Sequence, residues 1–252
     1  VEKVEGIILK TRDYGETHKI ISLFTKEKGK IGVIARGAKK PRSRMAALTQ
    51  PFVYGTFLIQ PSKNLGTLYQ GEVIDSMRKI KEDIVKTAYA AYLAELTDKV
   101  LENHVPDSFL WEQFLHTLER METEEHPEII SMIYELKIFQ KGGFAPELRH
   151  CVSCGREDNI THFSVVEGGF LCASCHQLDS SATFLNERLF NILRTIRFSK
   201  VENIGKVSMK EDNKIKLRIL LNDYYDRYGG FYLKSRKFLQ HLDMFQIKNE
   251  DE

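Results

Sequence analysis

No run of about 18 apolar residues occurs in the 252-residue sequence, which excludes a membrane-crossing helix as an expectation. The opening VEKVEGIILKTRDYG scatters charge among its apolar residues and lacks the hydrophobic core of a signal peptide, so a cytoplasmic protein is expected. At 42% hydrophobic and 29% charged, the chain lacks the composition of a disordered protein, and no repeat or low-complexity tract interrupts it. Its length suits two or three domains. A P-loop, GxGxxG, HExxH and GxSxG are all absent, and His104, His116 and Glu119 fall where solvated helix faces are expected. The protein is therefore expected not to be an enzyme.

Cysteine is scarce, and all of it is in one place. Cys151, Cys154, Cys172 and Cys175 follow the spacing C-x2-C-x17-C-x2-C. A cytosolic chain rarely keeps disulfides, and a thioredoxin-like dithiol needs one CxxC at the start of a helix in a βαβ pattern. A cytidine-deaminase site needs HxE ahead of PCxxC, and neither the HxE nor the proline is present. Two CxxC turns whose sulfurs face one point fit a closed tetrahedral site, and the THFSVVEGGFLC between them alternates like a hairpin turning at Gly168-Gly169. The expectation is one Zn²⁺ held by four thiolates, with no open position and hence a structural role. His150 and His176 flank the ligands and read as ordinary surface histidines.

The net charge of +2 conceals an uneven distribution. Residues 1–80 carry 15 Lys/Arg against 7 Asp/Glu, and residues 81–135 carry 4 against 13. Such asymmetry suggests segments with different partners, or plain solvated surface. The basic part has five β-rich runs: VEGIILKT, THKIISLFT, KIGVIAR, PFVYGTFLIQ and GTLYQGEVID. Five strands with a long link after the third suit an OB-type barrel, with an SH3-like barrel as competitor. The link holds Arg36, Lys39, Lys40, Arg42 and Arg44 with no acid among them, and Gly37 and Pro41 keep it irregular. Such a loop can follow a phosphate backbone and release counterions. Lys10, Arg12 and Lys19 can extend the field, as can Lys26, Lys28 and Lys30. Among the aromatics Tyr14, in a turn, is the best candidate to stack on a base, while Phe24, Phe52, Tyr54, Phe57 and Tyr69 read mainly as core.

From Lys81 the apolar period changes to about 3.6. Ile84, Ala88, Tyr92 and Leu96 with Val85, Tyr89, Leu93 and Val100 form one helical face. Asp107 or Ser108 caps a second helix, Pro127 starts a third, and Gly142-Gly143 stops it. LNERLFNILRTIRFS, NKIKLRILLNDYYDRYGG and a short SRKFLQHLDMF follow the cysteines. The expected class is α+β and multi-domain: an N-terminal five-stranded OB-type β-barrel (1–80), then an α-helical bundle (81–148 and 181–245) with an inserted four-cysteine zinc module (149–180), and a polar tail (246–252).

GIILKTRDYGETHKIISLFTKEKGKIGVIARGAKKPRSR, LTQPFVYGTFLIQ, GFAPELRHCVSCG and CASC, in that order, resemble the RecO family of bacterial DNA-repair proteins over nearly the whole chain. All four cysteine positions are filled, as in the zinc-bearing members. The resemblance implies an OB domain, a helical domain and a zinc module. It implies a non-enzymatic mediator that binds single- and double-stranded DNA, with contacts on the basic OB face, and anneals complementary strands. It implies action at the nucleoid during repair, with RecR, in loading RecA onto strands coated by the single-stranded-DNA-binding protein. The acidic tail of that protein ends in an apolar residue with a free carboxylate, so a basic rim around an apolar groove is required. Arg188, Arg194, Arg197 and Lys237 are candidates for it. The rival readings are a zinc-containing protein-interaction scaffold without nucleic-acid binding, and a nucleic-acid enzyme using zinc only structurally.

Overall fold

A computed structural model describes residues 1–205 and 209–250, with side chains described to Leu242. Strands β1 (Glu2–Tyr14), β2 (His18–Thr25), β3 (Gly29–Ala35), β4 (Tyr54–Gln60) and β5 (Gly66–Asp75) close into a barrel of order β1-β2-β3-β5-β4. All pairings are antiparallel except β3 with β5, which run parallel over Val33–Ala35 and Gly66–Leu68. A barrel of hairpins alone would be antiparallel throughout. The parallel closure needs the long link after β3 and gives the five-stranded Greek-key arrangement of an OB fold. Alternation fills the barrel, with Ile31, Val33 and Ala35 of β3 inward beside Ile21, Leu23, Phe57 and Ile59. A one-turn helix α1 (Met45–Leu48), missed by the sequence reading, lies in the link and drops Leu48 into that core.

The chain divides into two compact units, residues 1–127 with 232–252 and residues 128–231. These do not follow the segments expected from the sequence. The acidic helices join the barrel because their apolar faces are buried against it. After a short α2 (Arg78–Glu82), α3 (Ile84–Val100) starts where Asp83 accepts from the amides of Val85 and Lys86. Asp107 does the same for Leu110 at the start of α4 (Ser108–Thr123). Trp111 of α4 is buried, donates its indole N–H to the Phe24 carbonyl at 3.0 Å and meets the Tyr54 ring edge-on. Acidic residues of both helices meet barrel cations: Glu112 pairs with Lys26 at 2.9 Å, and Asp98 accepts from Ser22 at 2.6 Å beside Lys30. Part of the charge asymmetry is thus neutralised inside one unit. Gly29 has φ +67°, and a Cβ there would collide with the Val105 backbone, so glycine lets the loop before α4 dock on β3.

The C-terminal helix α8 (Lys234–Glu250) is longer than the short helix expected and packs on α3. It takes in most of the expected polar tail, of which residues 251 and 252 lie outside the described residues.

The second unit holds α5 (Pro127–Lys141, from Glu128), the cysteine module, α6 (Glu187–Phe198) and α7 (Glu211–Tyr228). Here β6 (Ile160–Ser164) pairs with β7 (Gly169–Cys172) and with the two-residue β8 (Thr183–Phe184). Phe163 joins module to helices, edge-on to Phe170 and to Tyr224 of α7. Two buried ionic groups link the helices. Glu135 of α5 is fully buried and accepts at both oxygens from Arg218 of α7, at 2.9 and 2.6 Å. Lys137 is buried and donates to the Ser199 carbonyl at 2.5 Å and the Ile196 carbonyl at 3.5 Å, among the orphan acceptors that end α6. Burial pushes its ammonium down to about 8, the nearby Arg197 adding to the effect.

Candidate metal centre and nucleic-acid interface

The cysteine module begins with a tight turn at Cys151–Gly155, closed by the Gly155 amide donating to the Cys151 carbonyl at 2.9 Å. The Cys175 amide donates to the Cys172 carbonyl at 3.0 Å, closing the second CxxC in a turn one residue tighter. The β6–β7 hairpin turns at Gly168, φ +84°, and brings the two pairs together. The Sγ atoms of Cys151, Cys154, Cys172 and Cys175 all lie within 4.8 Å of one another, and those of Cys154 and Cys172 are 3.7 Å apart. Four sulfurs each ~2.3 Å from one ion at tetrahedral angles stand roughly 3.8 Å apart, so this donor set fits a metal. None of the four is in a disulfide.

Burial resists ionisation of Cys151, but amides of Cys154, Cys172 and Ser153 outweigh it and draw the thiol down to about 6. At Cys175 the Ser153 hydroxyl pulls down, yet the other three sulfurs and burial push the thiol up to about 11. Four thiolates this close together repel one another. A metal would offset that repulsion. His150 and His176 lie outside the cluster: His150 lies against Glu147 and the Cys151 carbonyl, and His176 meets the Ala173 carbonyl at 2.7 Å and stacks on His162.

On the barrel, β1 is buried on both faces from Gly6 to Leu9 and then becomes exposed at Lys10. The open stretch carries Lys10, Arg12 and Tyr14 at alternating positions, hence on one face, with Ser22, Ile20 and His18 directly opposite on β2. Tyr14 is 52% exposed. The basic link is tied to this hairpin tip. Lys39 donates its amide to the Thr17 carbonyl at 2.9 Å and its ammonium to Asp13 at 2.7 Å, while the Gly37 amide donates to His18 Nδ1 at 3.0 Å. The Lys39 ammonium holds the Asp13 carboxyl below its usual range, with Lys19, half-buried, adding its field.

Arg36, Lys40, Arg42 and Arg44 are exposed, and among the described residues they form no ion pair. Arg42 stands at φ 60°, a left-handed conformation where glycine or asparagine is usual. Of the five link cations expected to act alike, Lys39 is thus a tether and four are open. Phe24, Phe52 and Phe57 are buried as expected. Tyr69, read from the sequence as core, is 55% exposed on β5, beside a bulge opposite Leu58/Ile59. The signal for it was parity, since its neighbour Leu68 faces inward.

Comparison with known proteins decides the family. Residues 1–77 match the family described as Recombination protein O N terminal, and residues 81–237 match Recombination protein O C terminal. The chain belongs to the RecO family. It is 47% identical over 251 residues to the DNA repair protein RecO of Oceanobacillus iheyensis, covering 99% of this chain and 97% of that protein. To the protein of the same description from Bacillus subtilis strain 168 it is 46% identical, covering 96% and 94%. To that of Bacillus cereus strain AH187 it is 45% identical, covering 98% and 99%. The RecO resemblance read from the sequence therefore stands, with both parts of the family represented, and this is a DNA-repair protein by family. Among the described residues no helix is long and apolar enough to cross a membrane.

Proposed function

We propose that the protein binds single- and double-stranded DNA through the basic face of its barrel and anneals complementary strands. In this reading it works with RecR to help load RecA onto strands coated by the single-stranded-DNA-binding protein, at the nucleoid during repair. No covalent step is involved. Two polyanionic strands repel, and a cationic surface lowers that repulsion while contacts confined to phosphates leave base edges free to pair. The observation that carries the reading is a set of four cations without an ion pair among the described residues, Arg36, Lys40, Arg42 and Arg44, on a link that Lys39 ties to Asp13 and Thr17 at the tip of the hairpin carrying Lys10, Arg12 and Tyr14.

The four cysteines hold one structural Zn²⁺ in this reading, since an all-thiolate tetrahedral set suits zinc and leaves no site for water. For the acidic tail we favour an apolar groove of about 440 Å³ along α6, floored by Ile192, Ile196, Ile204 and Met209 with Arg188 at its edge. Arg194 and Arg197 are engaged with Phe190 and Phe198, and Arg197 also with Gln140. Lys237 belongs to the other compact unit.

The test is annealing of complementary oligonucleotides coated with the single-stranded-DNA-binding protein. Wild-type protein should accelerate annealing without ATP, and the variant with Arg36, Lys40, Arg42 and Arg44 changed to Ala should not. Annealing that needs ATP, or that the variant performs as well, would refute the proposal. A chain with little affinity for any oligonucleotide would instead favour a protein-interaction scaffold.

A further inference from the structure

The sequence places Tyr232–Leu242 far from the barrel and gives it three cations, Lys234, Arg236 and Lys237, with no acid. In the fold this segment returns to the barrel's unit. Helix α3 packs on both β1 and α8. The start of α8 is pinned there by Glu95 of α3, which accepts from the Ser235 amide at 2.8 Å and the Ser235 hydroxyl at 2.5 Å.

Burial works against the Glu95 carboxylate, but the Ser235 and Lys234 hydrogen bonds together with the field of Lys10 hold its carboxyl below the usual range. Ser22, directly across β2 from Lys10, donates to Asp98 one turn beyond Glu95 on α3, which places Lys10, at the border of the open barrel face, on the side of the barrel where α8 starts. The acid that stands between them is consumed by Ser235. The same segment combines cations with exposed aromatic rings: Tyr232 is 64% exposed and Phe238 49%, and the Lys237 ammonium lies over one face of the Tyr232 ring, 5.0 Å from its centroid. Exposed rings interleaved with lysines match the two parts of an unpaired strand, its bases and its phosphates.

We infer that the entry and first turns of α8 form a second wall of the nucleic-acid site, with Tyr232 and Phe238 stacking on unpaired bases and Lys234 and Lys237 meeting phosphates. This rests on the proposed DNA binding by the barrel face and gives that site a preference for single strands. A duplex keeps its bases stacked inside, so it gains from the lysines and not from the rings.

The experiment measures binding of a labelled oligothymidylate and of a duplex of equal length over a range of salt, with unfolding curves confirming that each variant folds. Changing Tyr232→Ala and Phe238→Ala together should weaken single-strand binding by about five-fold or more and leave duplex binding unchanged. Tyr232→Trp should retain binding, and its fluorescence should be quenched by oligothymidylate. Changing Lys234→Ala and Lys237→Ala together should weaken both and lower the single-strand salt slope by about 1.4. The inference is overturned if these folded variants bind both substrates like wild type while the 36–44 link variant loses them. It is equally overturned if they lose only an acidic peptide. Wild-type protein that binds neither nucleic acid would refute the barrel-face reading itself, and this inference with it.

Discussion

Lys137 shows how one side chain's surroundings become a measurable property. Its folded value near 8 lies below the usual 10.5, so between those limits the unfolded chain binds more protons than the folded one. Stability attributable to Lys137 therefore rises with pH from about 8 to about 10.5 and is flat below. Urea unfolding of wild type and Lys137→Met should diverge across that window by on the order of 3 kcal/mol in favour of wild type. Parallel pH curves would show that the ammonium is not buried as described. Arg42 makes a second case, for a left-handed non-glycine residue costs energy that the fold tolerates. Arg42→Gly should leave stability within about 1 kcal/mol of wild type while lowering DNA affinity, since only the cation is lost. Equal affinity in the two proteins would remove Arg42 from the site.

Between elements, the Glu135–Arg218 pair ties α5 to α7 with a carboxylate wholly out of water. Arg218→Ala should destabilise the protein by about 3–5 kcal/mol, whereas Glu135→Leu with Arg218→Met should be near neutral, in denaturant titrations. The cysteine module should behave as a metal-dependent element: chelation or Cys172→Ser should lower Tm by several degrees, with elemental analysis giving one zinc per chain before treatment. DNA affinity of the still-folded variant should change less than two-fold. Much of this layer was legible from local chemistry. Asp107 announces a helix start, strand alternation marks the barrel core, and paired CxxC turns mark the sulfur cluster, whereas the Asp83 cap of α3 was not read. Ile84, assigned to the apolar face of α3, is 63% exposed because it opens the helix before that face meets the barrel. Helix α1 was hidden in the link because one turn is too short to show a period.

Across the whole chain, tertiary pairing was the part that sequence order could not reveal. The parallel β3–β5 closure separates the OB barrel from its competitor, yet it joins segments thirty or more residues apart. The grouping of α8 with the barrel and the pairing of acidic helices with barrel cations are of the same kind. They turn an apparent division into basic and acidic segments into one unit in which four cations without an ion pair among the described residues are concentrated on the link. The salt dependence of binding to an oligothymidylate tests this concentration most directly. With Arg36, Lys40, Arg42 and Arg44 changed to Ala and Lys39 kept as tether, the slope of log affinity against log salt should become shallower by about 3, at ~0.7 per phosphate contact. A slope equal to that of wild type would mean that the phosphates are met somewhere else.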